Sequence, residues 1–168
     1  MNARIVFASI ALILSSTAVF AQGANQQLLG QFNDWSAYSA STDKGKLCFV
    51  ISQPKKRAPE TLKRDPAYMF ITHRPADKVR NEISVQVGFP MKDGSTADVT
   101  IAGQPFALMT QNERAWSNGQ DDSKIVDAMR RGADVIIKST SGRGNVTTDT
   151  YSLKGISAAL DKISKECP

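Results

Sequence analysis

Alternation with a period of two constrains this chain more than any other feature. Successive side chains of a strand point to opposite faces, so apolar residues at every second position mark a strand with one buried face. Asp34–Ala40 (DWSAYSA) puts Trp35 and Ala37 on one face, Ser36 and Tyr38 on the other. Lys46–Ser52 (KLCFVIS) is an apolar, β-branched run suited to a buried strand, and Tyr68–Thr72 (YMFIT) and Glu82–Val87 (EISVQV) read the same way. Ala97–Ile101 and Phe106–Met109 flank AGQP, a hairpin around Gly103. Asp134–Ser139 and Val146–Leu153 flank TSGRGN, a second hairpin whose glycines tolerate positive φ. About eight short strands with turns between them, and no βαβ alternation, predict an antiparallel β-sandwich.

Two stretches depart from that period. DDSKIVDAMRRG starts acidic at Asp121 and Asp122, carries Ile125, Val126 and Met129 on one stripe, and ends on Arg130, Arg131 and Gly132. Each sign of charge lies where the helix dipole favours it. In Gly155–Lys165, Ile156, Ala159, Leu160 and Ile163 follow i, i+3, i+4, i+7 spacing. That face is expected to lie on the sheets and carry Cys167 inward. Residues 22–31 (QGANQQLLGQ) read as a flexible start, and Lys55–Pro66 (KKRAPETLKRDP) as an exposed loop.

The N-terminus sets the compartment. Arg4, an apolar run from Ile5 to Leu14, and small residues ending in Val19-Phe20-Ala21 have the order of a secretory signal peptide. The apolar run is shorter than the ~20 residues a membrane span needs. Residues 1–21 are therefore expected to be a cleaved leader, leaving 168 − 21 = 147 residues, 22–168, as one domain. No later segment is apolar enough to span a bilayer. Cleavage removes Arg4 and no acid, so the formal charge falls from +5 to +4. That is too small a bias to argue for nucleic acid.

Only two cysteines occur, Cys48 and Cys167, the latter next to the last residue. A stray thiol, a metal ligand, a reactive group and half of a staple are all open to such a residue. An oxidising compartment favours the staple, and two cysteines allow one pairing. One His and two Cys are too few for a structural zinc site without carboxylates.

Catalytic chemistry finds little support. His73, in ITHRPAD, is the lone histidine, with Asp77 four residues on. There is no G-x-S-x-G, and Pro75 breaks any helix that would bring Asp77 over His73. Phosphate-loop, dinucleotide, calcium-loop and H-E-x-x-H motifs are absent, so no cofactor or metal is called for. Capping accounts for Asp121 and Asp122, and a β-turn for SGRGN. The best prospect for binding is the basic cluster Lys55, Lys56, Arg57, Lys63 and Arg64, diluted by Glu60 and Asp65. Trp35 reads as core. Trp116, in NERAWSNG, is open between core and contact residue.

Taken in order, FNDWSAY (Phe32–Tyr38), GKLCFVIS (Gly45–Ser52), GQPFAL (Gly103–Leu108), the segment Trp116–Val135 and YSLKGISAALDKISKEC (Tyr151–Cys167) resemble the invasion-associated locus B family of exported bacterial proteins. The resemblance covers essentially the whole expected mature chain. It implies an immunoglobulin-like antiparallel β-sandwich with two short helices, the last C-terminal, an envelope or periplasmic location, and no catalytic set. Cys48 and Cys167 carry over as a structural pair. Relatives often have a further cysteine where this chain has Ser39, so the single bridge serves alone. The function expected is that of a non-enzymatic exported protein. It would bind an envelope or host-surface component, in host-cell association or envelope integrity. The alternative is a small periplasmic hydrolase or isomerase using His73.

Overall fold

The computed structural model describes residues 26–168; the leader expected over 1–21 lies outside them. Within the described residues the strands are β1 Gln26–Phe32, β2 Trp35–Thr42, β3 Gly45–Ser52, β4 Lys56–Ala58, β5 Tyr68–Arg74, β6 Val79–Gln86, β7 Thr96–Ile101, β8 Gln104–Gln111, β9 Arg114–Trp116, β10 Asp134–Thr140 and β11 Val146–Ser152. The helices are α1, Asp122–Arg131, and α2, Ile156–Glu166. The mainly-β antiparallel class holds, as do the two helices with the last at the C-terminus.

The layers, however, belong to one continuous sheet. Its order is β1-β2-β3-β5-β6-β9-β8-β7-β10-β11-β4, antiparallel at every pairing. The connectivity shows that this sheet is rolled. β3 and β4 lie eight positions apart in it, which in a flat sheet would be about 38 Å. Only Gln53, Pro54 and Lys55 join them, and that connection reaches about 14 Å at most. The far edge must therefore fold back over the near half. Bonds between the halves show the return: Trp35 Nε1 donates to the Ser152 carbonyl at 2.9 Å, and the Asp34 N–H to the Lys154 carbonyl at 3.2 Å. Among the described residues β1 and β4 are unpaired edges, so the sheet they form does not close.

One core fills the roll. Trp35, Cys48, Val50, Met69, Ile71, Ile83, Val85, Val99, Leu108, Val135 and Tyr151 all point inward. The expected stripes of the helices, Ile125, Val126 and Met129 in α1 and Ile156, Ala159, Leu160 and Ile163 in α2, join them. α2 packs on β1, β2 and β3, and α1 on β6 and β7. The sulfurs of Cys48 and Cys167 are bonded, with 5.9 Å between the Cα atoms, tying the end of α2 to β3.

Three strands were not expected. Residues 26–32, expected to be part of a flexible start, form β1. A register shift between Leu28 and Gly30 breaks the period-2 signal there. The polar Lys55–Pro66 connection contains β4, too short and too close to Pro54 and Pro59 to show a pattern. β9 has only three residues. The helix ends also differ in detail. Asp121 makes no side-chain cap; it holds Lys124 at 3.0 Å, and the Asn118 side chain accepts from the Gln120 N–H instead. Gly155 does need glycine: its φ is +91°, and a Cβ there would lie 1.9 Å from the Phe32 carbonyl oxygen.

Candidate functional site

The five cations of the basic segment do not form one patch. β4 pairs with β11, and its Arg57 turns under the segment. Arg57 donates from Nη1 to the Asp65 carbonyl at 2.8 Å and from Nη2 to the Val87 carbonyl at 3.0 Å. Its Nε lies 3.4 Å from Asp149 Oδ1, and Arg64 Nη1 donates to the same oxygen at 2.8 Å. The side chains of Arg64 and Asp149 are only 5% and 6% exposed, so this pair is an internal tie. Lys55 reaches back to Asp34 at 2.5 Å. Lys56 and Lys63 are exposed and make no ion pair among the described residues.

The connection is thus a strap, pinned at several points. The Asp65 N–H also donates to the Gly88 carbonyl at 3.1 Å. Gly88 is obligatory at that crossing, since a Cβ on it would meet the Asp65 oxygen at 2.2 Å. Asp149 was not singled out from the sequence. A signal existed: Thr147, Asp149 and Tyr151 alternate inward along β11, and a carboxylate facing a core requires a cationic partner. Beside it, the Tyr151 hydroxyl is buried without a hydrogen-bond partner among the described residues, and burial pushes its phenol up in pKa.

Pinning the strap shapes a groove. Leu62, Lys63 and Arg64 of the strap, Arg143 at the tip of the β10–β11 hairpin, and Phe89 with Pro90 line it together. Its volume is about 490 Å³. Two features read separately in the sequence, the basic segment and SGRGN, are therefore brought together by the roll of the sheet. Asp65 and Glu113 also line the groove, so its charge is mixed.

His73 is fully buried on β5, opposite Cys48 of β3. Nε2 lies 3.0 Å from Asn81 Oδ1, and Nδ1 has no hydrogen-bond partner among the described residues. Desolvation lowers the pKa of the imidazole, against the raising effect of Asn81. Asp77 is turned away, bonded to Arg74 Nε at 3.2 Å. Among the described residues no carboxylate and no hydroxyl is hydrogen-bonded to the ring, so the triad order of nucleophile, base and orienting acid is not assembled. No group of His, Cys, Asp and Glu suited to a metal ion occurs among the described residues, and no helix there is long and apolar enough to cross a membrane.

A second cleft, of about 440 Å³, opens on the outer face beside the start of α1. Trp116 and Met109 line it, with Lys78, Arg80, Glu82 and Asn118. Glu82 is held by Arg74 in a bidentate pair at 2.8 and 2.7 Å. Asp122 is buried and accepts from the Ser117 hydroxyl, and desolvation raises its pKa. Ser117 Oγ in turn accepts from the Ile83 N–H at 3.3 Å, so α1 begins on a hydrogen-bonded tether to β6.

Comparison with known proteins accords with this architecture. No curated protein matches the chain in sequence. The crystal structure of invasion associated protein B from Bartonella henselae aligns with a TM-score of 0.60 at 14% identity, covering 82% of this chain and 95% of that one. At that identity the likeness concerns the fold. The family described as Invasion associated locus B (IalB) protein matches residues 35–164. With most of its length inside that match, the chain belongs to the IalB family.

Proposed function

We propose that this IalB protein is an exported, non-enzymatic envelope or periplasmic protein, made with a leader over residues 1–21. Its part is to bind a component of the envelope or of a host surface. The observation that carries the reading is the groove between the strap and the Arg143 hairpin. It is built from two polar surface segments, and one of them is pinned by a buried ion pair rather than left as a solvated loop. A pre-formed cleft of several hundred Å³ with a few convergent polar groups is the usual form of a binding site. Membership of an invasion-associated family supports the class of partner, and the solitary, buried His73 supports a role without catalysis.

The test is crosslinking of the protein in envelope extracts and on host cells, followed by recovery of the bound component. Lys63 and Arg143 line the groove, are exposed and are free of the Asp149 tie, so K63E/R143E should keep the fold and lose the partner. Capture unchanged in that variant would refute the groove as the contact. Repeated failure to recover one reproducible partner from either source would refute the binding role.

A further inference from the structure

The cleft at Trp116 has a chemistry of its own. β9 pairs with β6 on one side and β8 on the other, and the register sets Ser84 and Met109 beside Trp116 on the outer face. Met109 is 47% exposed, and Trp116 is only partly covered. An indole and a thioether thus face solvent at the rim of a polar cleft. Around them the charges are unequal. Both acids are committed within the protein, Glu82 to Arg74 and Asp122 to Ser117. Both cations, Lys78 and Arg80, make no ion pair among the described residues. The lining charges without an ion-pair or hydrogen-bond partner among the described residues are therefore the two cations, Lys78 and Arg80.

The backbone around the cations is irregular. Lys78 and Asn81 have φ of 56° and 60°, conformations that non-glycine residues seldom adopt. The β5–β6 register shifts between Thr72 and Arg74, directly opposite them. Such features re-aim side chains and gather at binding sites. The Asn81 side-chain oxygen accepts from His73 Nε2, which sets the buried histidine behind this cleft as a support for Asn81.

We infer that this cleft binds an anionic saccharide. The apolar face of a sugar ring packs on Trp116 and Met109, its hydroxyls meet Asn118, and its sulfate or carboxylate groups meet Lys78 and Arg80. A flat aromatic contact combined with bidentate-capable Arg suits a ring bearing planar or tetrahedral anions. The inference is independent of the strap groove, which uses other residues of the fold.

Intrinsic fluorescence tests it directly, because Trp35 is fully buried and only Trp116 can report a ligand. The oxidised protein is titrated at low salt with a heparin tetrasaccharide, an unsulfated N-acetylheparosan tetrasaccharide, inorganic sulfate and a mononucleotide. The expected result is a saturable change in Trp116 emission with a tetrasaccharide, weakening as salt rises, and absent with inorganic sulfate. Comparing the two tetrasaccharides shows whether sulfate or carboxylate is the recognised anion. K78A/R80A, which alters only unpaired surface cations, should melt like the parent and bind at least tenfold more weakly. K56E/K63E should bind like the parent. No emission change with either tetrasaccharide, an equal change with inorganic sulfate, tighter binding of the mononucleotide, or full binding by K78A/R80A would each overturn the assignment.

Discussion

Replacing Cys48 and Cys167 together by Ala removes a crosslink that closes 119 residues of chain. In the chain-entropy description, closing a loop of that length restricts the unfolded ensemble by roughly 5 kcal/mol, and measured losses for native bridges run about 2–5 kcal/mol. The native state gives little reason for a further local loss. α2 is docked through Ile156, Ala159, Leu160 and Ile163, all buried, and does not depend on Cys167 to stay in place. The reduced or double-Ala protein should therefore keep its fold and lose stability as a whole. For a chain of this size each kcal/mol moves Tm by about 2–4 °C, so the drop should be about 10–20 °C at the upper figure. Thermal melts by circular dichroism measure it, and hydrogen exchange locates it. Exchange should accelerate in all the slowest core amides together. Acceleration confined to residues 156–166, with a Tm change below about 3 °C, would refute the unfolded-state account. Two titratable thiols in protein purified without reductant would refute the bridge itself.

Asp149→Ala should cost about 3–5 kcal/mol, because it leaves Arg64 buried and Arg57 half-buried without their shared carboxylate; urea melts check this, and adding Arg64→Met should recover part of the loss. His73 has a lowered folded-state pKa, so the unfolded chain takes up a proton below its ordinary value of 6.5 while the folded one resists it. Stability should therefore fall as pH drops just below 6.5, and His73→Gln, which can still bond Asn81, should flatten Tm against pH in that window. Asp122, raised by burial, acts in the opposite sense: its contribution is complete below its ordinary 3.8 and declines as pH rises above it. Gly155→Ala should destabilise by more than the ~1–3 kcal/mol of a strained left-handed residue, since the Phe32 carbonyl blocks the added carbon; denaturant midpoints measure it.

What could be read locally was legible without coordinates. Alternation marked β2, β3, β5, β6, β7, β8, β10 and β11, and helical spacing marked the buried stripes of α1 and α2, because these signals repeat along one element and depend on neighbours a few residues away. β1 escaped because the register shift near Gly30 interrupts its period, and β4 and β9 because three residues carry no period at all. The cysteine pairing was accessible too, since only one pairing exists.

The candidate site was legible only in pieces. Lys63, Arg64 and the SGRGN turn stood out as residues, but nothing local brings them to line one groove. That depends on a sheet rolled until its far edge returns to β3. Nor does the basic segment show which of its cations are free: Arg57 and Arg64 are spent on Asp149, some ninety residues further along the chain. The sequence by itself determined the strand class and the helices, because hydrophobic period is a property of short stretches, and its two cysteines left one possible pairing. The tertiary structure decided which surface charges remain unpaired and where Trp116 meets them, because ion pairing and exposure are set by contacts between distant segments.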